Sequence, residues 1–67
     1  MSVVKVIEII CEGPSIEAAM KAGVAEAAKT VHDIKQVNVE HIEALVNKDN
    51  EIFNFRVNLK LSFLVKH

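Results

Sequence analysis

Hydrophobic positions change their spacing repeatedly along the chain, and each change predicts a new element. Val3 to Ile10 is a nearly continuous apolar and β-branched run in which Lys5 and Glu8 are the only charges and do not alternate strictly. Such a run predicts a strand buried for much of its length. Glu12-Gly13-Pro14 ends it, because glycine permits unusual dihedrals and proline lacks the ladder donor, and Ser15 follows as a natural helix N-cap. From Ile16 the period becomes helical. Ile16, Ala19, Met20, Val24, Ala27 and Val31 fall on one face, while Glu17, Lys21, Glu26 and Lys29 fall elsewhere, which predicts an amphipathic helix over roughly Ser15 to Val31. Glu17 and Lys21 have the favourable i, i+4 order, and Lys29 and His32 sit where the C-terminal dipole favours cations. Gly23 interrupts this helix at a cost of ~1 kcal/mol relative to Ala. Its expected reason is close approach of the helix to a sheet.

After His32-Asp33-Ile34-Lys35 the period falls to two, with Val37 and Val39 on one side and Gln36, Asn38 and Glu40 on the other. Around His41 the phase slips: Ile42, Ala44 and Val46 continue in the register of the formerly polar side, as a β-bulge or strong bend would produce. Asn47-Lys48-Asp49-Asn50-Glu51 is a polar turn, and it predicts a hairpin with a long final strand. In that strand Phe53, Phe55, Val57, Leu59, Leu61, Phe63 and Val65 share one face, expected to pack on the helix, and Asn54, Arg56, Asn58, Lys60 and Ser62 share the other. The order is β-α-β-β in the α+β class, with a right-handed crossover expected if the first strand pairs parallel to a hairpin strand. Repeats, low-complexity tracts and linkers are absent, so residues 1–67 are expected to form a single domain.

Size then changes the picture. A chain of 67 residues hides only ~60% of the surface its unfolded form exposes and needs a supplement to its core. Cys11 is the only cysteine, which removes an intrachain disulfide and a cysteine-rich zinc site. Oligomerisation remains, and 51% hydrophobic residues in so small a body implies apolar surface that a partner chain covers. The formal net charge of −1 provides no electrostatic footprint for nucleic acid. No stretch approaches a membrane span, and Met1 to Lys5 lacks the long apolar region of a signal peptide, so a cytoplasmic protein is expected. A free Cys11 accords with a reducing compartment.

Three segments together resemble the dodecin family: Lys5-Val6-Ile7-Glu8-Ile9, Ser15-Ile16-Glu17-Ala18-Ala19, and Phe55-Arg56-Val57-Asn58-Leu59-Lys60-Leu61-Ser62-Phe63. Their order and spacing within so short a chain carry the resemblance, which extends over essentially its whole length. It implies a three-stranded antiparallel sheet wrapped around one helix, and a homododecamer forming a hollow shell of cubic symmetry. Such a shell binds flavins in pairs near its three-fold axes and stores or sequesters them without enzymatic turnover. FMN, FAD, riboflavin and a breakdown product such as lumichrome are the ligands implied, held through Gln36 and Arg56, with Val37 and Asn58 beside them. The chain departs from the family at both principal positions. Gln36 stands where an aromatic residue, usually Trp, stacks on the flavin ring, and Arg56 stands where a Gln hydrogen-bonds it. Stacking of a base on an aromatic ring contributes ~1–3 kcal/mol in other systems. Arg56 offers a planar fork that suits either stacking or a phosphate, and it is equally suited to pairing with Glu40 or another carboxylate. The alternative function is a shell without flavin, which binds metal ions or serves as a structural assembly.

The remaining chemistry-bearing residues have bland explanations. His32, His41 and His67 lie on different elements without ligand spacing, so no metal site is expected from them. Glu40, Glu43, Asp49 and Glu51 flank the hairpin without forming a recognisable cation loop, although symmetry could gather carboxylates. Cys11 beside apolar neighbours is expected to be inert packing and Ser15 a cap. No nucleophile has a base partner, and with only two glycines no phosphate loop exists, so no enzymatic activity is expected.

Overall fold

The computed structural model describes residues 2–65. Its elements are β1 (Val3–Gly13), α1 (Ile16–Ala27), β2 (Ile34–Val46) and β3 (Ile52–Val65). The strands form one sheet in the order β1-β3-β2, with β3 antiparallel to both neighbours. The expected β-α-β-β architecture is therefore present. β1 and β2 are separated by β3, so no parallel pair forms and the condition attached to the right-handed crossover is not met.

β3 occupies the centre because it carries the longest uninterrupted alternation in the chain. Val57, Leu59 and Leu61 are fully buried on its odd-numbered face, and α1 lies against β1 and β3. Phe53 departs from the expected face-wide burial: it lies near the hairpin end of the strand and stays 56% exposed. On β1, Ile7, Ile9 and Cys11 stand opposite Leu61, Leu59 and Val57, packed in or against the same core. Val4, Val6 and Ile10 belong to the opposite face and are exposed, so the expected burial of β1 for much of its length does not occur within one chain. One helix can cover only one face of a sheet.

Local chemistry sets the boundaries of α1. Ser15, extended at φ −144°, accepts a hydrogen bond from the Ala18 N–H at 3.0 Å and caps the first turn. The helix is shorter than its apolar period suggests. After Ala27 the Lys29 and Thr30 amides bond three residues back, to Glu26 and Ala27, each at 3.2 Å, and the last turn tightens before β-branched Thr30 and Val31. Asp33 then takes φ 60°, and its carbonyl accepts from the Leu64 N–H at 3.1 Å, which ties the connection to β3.

Both glycines are spacers. A Cβ on Gly13 would lie 2.9 Å from the Ala19 nitrogen, so the strand end passes directly under the first turn of α1. Its backbone is not left-handed, and unusual dihedrals are not its reason. A Cβ on Gly23 would collide with the Cys11 Sγ, as the expected close approach of helix to sheet requires.

β2 bends at a register shift between Val39 and His41, where Glu40 is the extra residue. Val37 and Val39 oppose Leu61 and Leu59 before it, and Ile42 and Ala44 oppose Val57 and Phe55 after it. The bulge thus keeps all four apolar residues on the helix side, although their sequence parity changes. The hairpin turn is closed by Asn47, whose Oδ1 accepts from the Asp49 and Glu51 amides at 2.9 and 3.1 Å, with Asn50 left-handed at φ 63°.

Replacing Gly23 by Ala gains ~1 kcal/mol of helix propensity but drives a methyl group into Cys11. Gly23→Ala is therefore expected to be net destabilising, by about 1–3 kcal/mol from overpacking. Adding Cys11→Ala should recover most of the loss. Thermal melts at fixed protein concentration measure this, and a Gly23→Ala protein as stable as the parent would contradict the close contact.

Candidate functional site

Alternation on β3 turns Arg56, Asn58, Lys60 and Ser62 to the face that the helix does not cover. The two flanking strands set what each of them meets. Arg56 stands opposite Glu12 on β1 and Glu43 on β2, Asn58 opposite Ile10 and His41, Lys60 opposite Glu8 and Asn38, and Ser62 opposite Val6 and Gln36.

Arg56 is committed to Glu12. Its Nε donates to one Glu12 oxygen at 2.9 Å, and a terminal guanidinium nitrogen ion-pairs with the same oxygen at 2.9 Å. The side chains are 42% and 45% exposed, so the pair is solvent-screened and contributes at most about 1 kcal/mol. The alternative partner considered from the sequence, Glu40, is taken by Lys60 at 3.1 Å. The reason is the bulge, which leaves Glu40 outside the register.

Asn58 carries the one unmet polar demand among the described residues: its Oδ1 is buried without a hydrogen-bond partner. An unsatisfied buried acceptor costs about 1–3 kcal/mol, which a donor from a ligand or a second chain recovers if the amide turns to meet it. The surrounding groove has a volume of about 510 Å³ and is lined by Arg56 and Asn58 of β3, Glu40, His41, Ile42 and Glu43 of β2, and Ile10 of β1. The lining is mostly polar and charged, so a ligand held here meets hydrogen-bonding and ionic groups more than apolar surface.

Gln36 is not part of this groove. It lies opposite Ser62, six residues along β3 from Arg56, a separation of about 20 Å at strand rise. A pocket that uses both residues therefore has to be completed by another chain. The Val37 side chain packs against the core, on the face away from this groove.

A second cavity, about 610 Å³, lies between α1 and β1 and includes Ile7, Ile9, Cys11, Gly23 and Ala27 in its lining. Burial pushes the Cys11 thiol above its usual range, which disfavours the thiolate and accords with packing. His32 and His41 lie on separate segments and His67 lies outside the described residues. Among the described residues no group of three or more His, Cys, Asp or Glu side chains is arranged to hold a metal ion. No helix among them is long and apolar enough to cross a membrane.

Reasoning from the sequence singled out Arg56 and Asn58 but did not assign Glu12 or Glu43 to the site. Glu12 was hidden because its meeting with Arg56 depends on β1 pairing with β3 across most of the chain. Glu43 could have been found from the bulge, which returns odd-numbered positions after His41 to the polar face.

The fold is shared with solved structures. An arginine-to-alanine mutant of the Thermus thermophilus dodecin matches at a TM-score of 0.90 and 24% identity, with 100% of each chain covered. The dodecin from Streptomyces davaonensis matches at 0.89 and 22% identity, covering 98% of this chain and 97% of that one. The dodecin from Streptomyces coelicolor matches at 0.89 and 21% identity, covering 98% and 94%. No curated protein matches the chain. The Dodecin family model matches residues 3–66, and the chain belongs to that family.

Proposed function

We propose that this chain is a subunit of a hollow homo-oligomeric shell, dodecameric as family resemblance implies, that holds a small ligand of the flavin class without turning it over. One observation carries the assembly: the described residues bury five hydrophobic side chains, while Val4, Val6, Ile10, Ile42, Val46, Ile52 and Phe53 among others stay exposed. A core so small supplies little stability alone, and apolar surface on this scale calls for partner chains. The groove beside Arg56 and Asn58 supports the ligand. Gln36, too distant to act with Arg56 in one chain, joins the site from a neighbouring subunit. The dodecin family supports a non-enzymatic role, and neither Cys11 nor Ser15 is arranged as an activated nucleophile.

A second reading, a shell that has lost flavin and binds ions or serves as scaffold, is favoured by the Arg56–Glu12 pair. That pair already satisfies the fork a ligand would use, and Gln36 offers no aromatic face for stacking.

Light scattering coupled to size-exclusion chromatography, with protein incubated in FMN or riboflavin and visible absorbance recorded, separates the readings. A particle near twelve subunits carrying yellow colour is the expected result. A colourless particle of that size moves the function to the second reading, and a monomer or dimer overturns both. Gln36→Trp together with Arg56→Gln restores the family's stacking and hydrogen-bonding groups, and the double variant is expected to bind flavin at least about five-fold more tightly, the lower end of the ~1–3 kcal/mol of one stacked base, in fluorescence titration. An unchanged affinity would show that the pocket itself has been lost.

A further inference from the structure

We infer that Glu43 makes the groove on the helix-free face select an uncharged ligand and reject one that carries a phosphate. The inference rests on the ligand-holding reading above and names the class of ligand that site takes.

Charge balance in the groove is the basis. The two cationic side chains on this stretch of β3 are both engaged, Arg56 by Glu12 and Lys60 by Glu40. Glu43 stands directly opposite Arg56 on the other flank, lines the groove, and makes no ion pair with a described residue. The row Glu12–Arg56–Glu43 therefore places two carboxylates on either side of one guanidinium. A phosphate that reaches for Arg56 has to displace Glu12 and then sit beside two carboxylates in place of one. Like charges juxtaposed at a binding site are a recognised device for rejecting the wrong partner.

An uncharged heteroaromatic ring meets none of this opposition. The Arg56–Glu12 contact uses Nε and one terminal nitrogen, and hydrogen bonds of a guanidinium lie in its plane, so the flat faces stay available for stacking. Ile10 adds apolar wall on the β1 flank, and Asn58 adds an amide with unmet hydrogen-bonding capacity. Each of these features favours a neutral planar ligand, and the surplus carboxylate opposes an anionic one. Glu43 is thereby a specificity-determining residue, and its effect is electrostatic and sensitive to salt.

Riboflavin and FMN share one ring system and differ in charge by the phosphate, so they isolate the effect. Each is titrated into the assembled protein, followed by quenching of flavin fluorescence, for the parent chain and for Glu43→Gln and Glu43→Lys. At an ionic strength of about 20 mM, where screening is weak, riboflavin is expected to bind about five-fold or more tightly than FMN. The gap should shrink at about 0.5 M salt, where the screening length is only a few ångströms. It should also shrink in Glu43→Gln and reverse in Glu43→Lys, the ratio of the two affinities within each variant being the readout. Glu43 is exposed, so these variants keep the fold, which particle size and circular dichroism verify. FMN binding as tightly as riboflavin, or a gap indifferent to the charge at position 43, overturns the inference and leaves the ligand-holding reading standing. Absence of binding by either flavin overturns both.

Discussion

β3 is hydrogen-bonded along both of its edges, and nearly every other feature of the molecule depends on that double pairing. It brings Glu12 and Glu43, distant in sequence, to either side of Arg56, and it stacks Ile7, Ile9, Cys11, Val37 and Val39 around Val57, Leu59 and Leu61. A strand paired on both sides cannot slip by one residue without turning its entire apolar set to the opposite face. Register is consequently enforced from the core outward, and the polar face inherits its order from the buried one.

The same arrangement leaves the chain incomplete. One helix covers one side of the sheet, two edges of the sheet remain unpaired within the chain, and a body extending 53 × 20 × 13 Å has little interior. The helix meets β1 at very short range, through Gly13 and Gly23, because Ala19, Gly23 and Cys11 occupy so little volume. Tight packing over a small area coexists with extensive apolar exposure elsewhere: the contact within the chain sets its shape and leaves much of its apolar surface uncovered.

Most of the fold was legible because alternation and helical periodicity report directly on which side chains meet the core. The strictly alternating β3, the capped start of α1 at Ser15, the polar turn at Asn47 and the phase slip near His41 all correspond to features of the structure. What escaped were properties that depend on the partner of a residue and not on its neighbours in sequence. The apolar run of β1 cannot distinguish burial by its own chain from burial by another, and the helix pattern continues to Val31 although the backbone tightens after Ala27. At the site, Arg56 stood out as a planar cation on a polar face, but its attachment to Glu12 required the sheet order. The separation of Gln36 from Arg56 likewise required the register.

The extra residue in β2 has a consequence beyond the bend it introduces. Side chains after Val39 exchange faces because of it, so His41 and Glu43 reach the helix-free surface while Ile42 and Ala44 turn toward the helix side. Run as a regular strand without the bulge, the same residues would invert the assignments: Ile42 would stand beside Arg56, and His41 and Glu43 would be directed at Val57 and Phe55. The polarity of the groove is thus a property of how the strand accommodates one surplus residue as much as of the residues' identities.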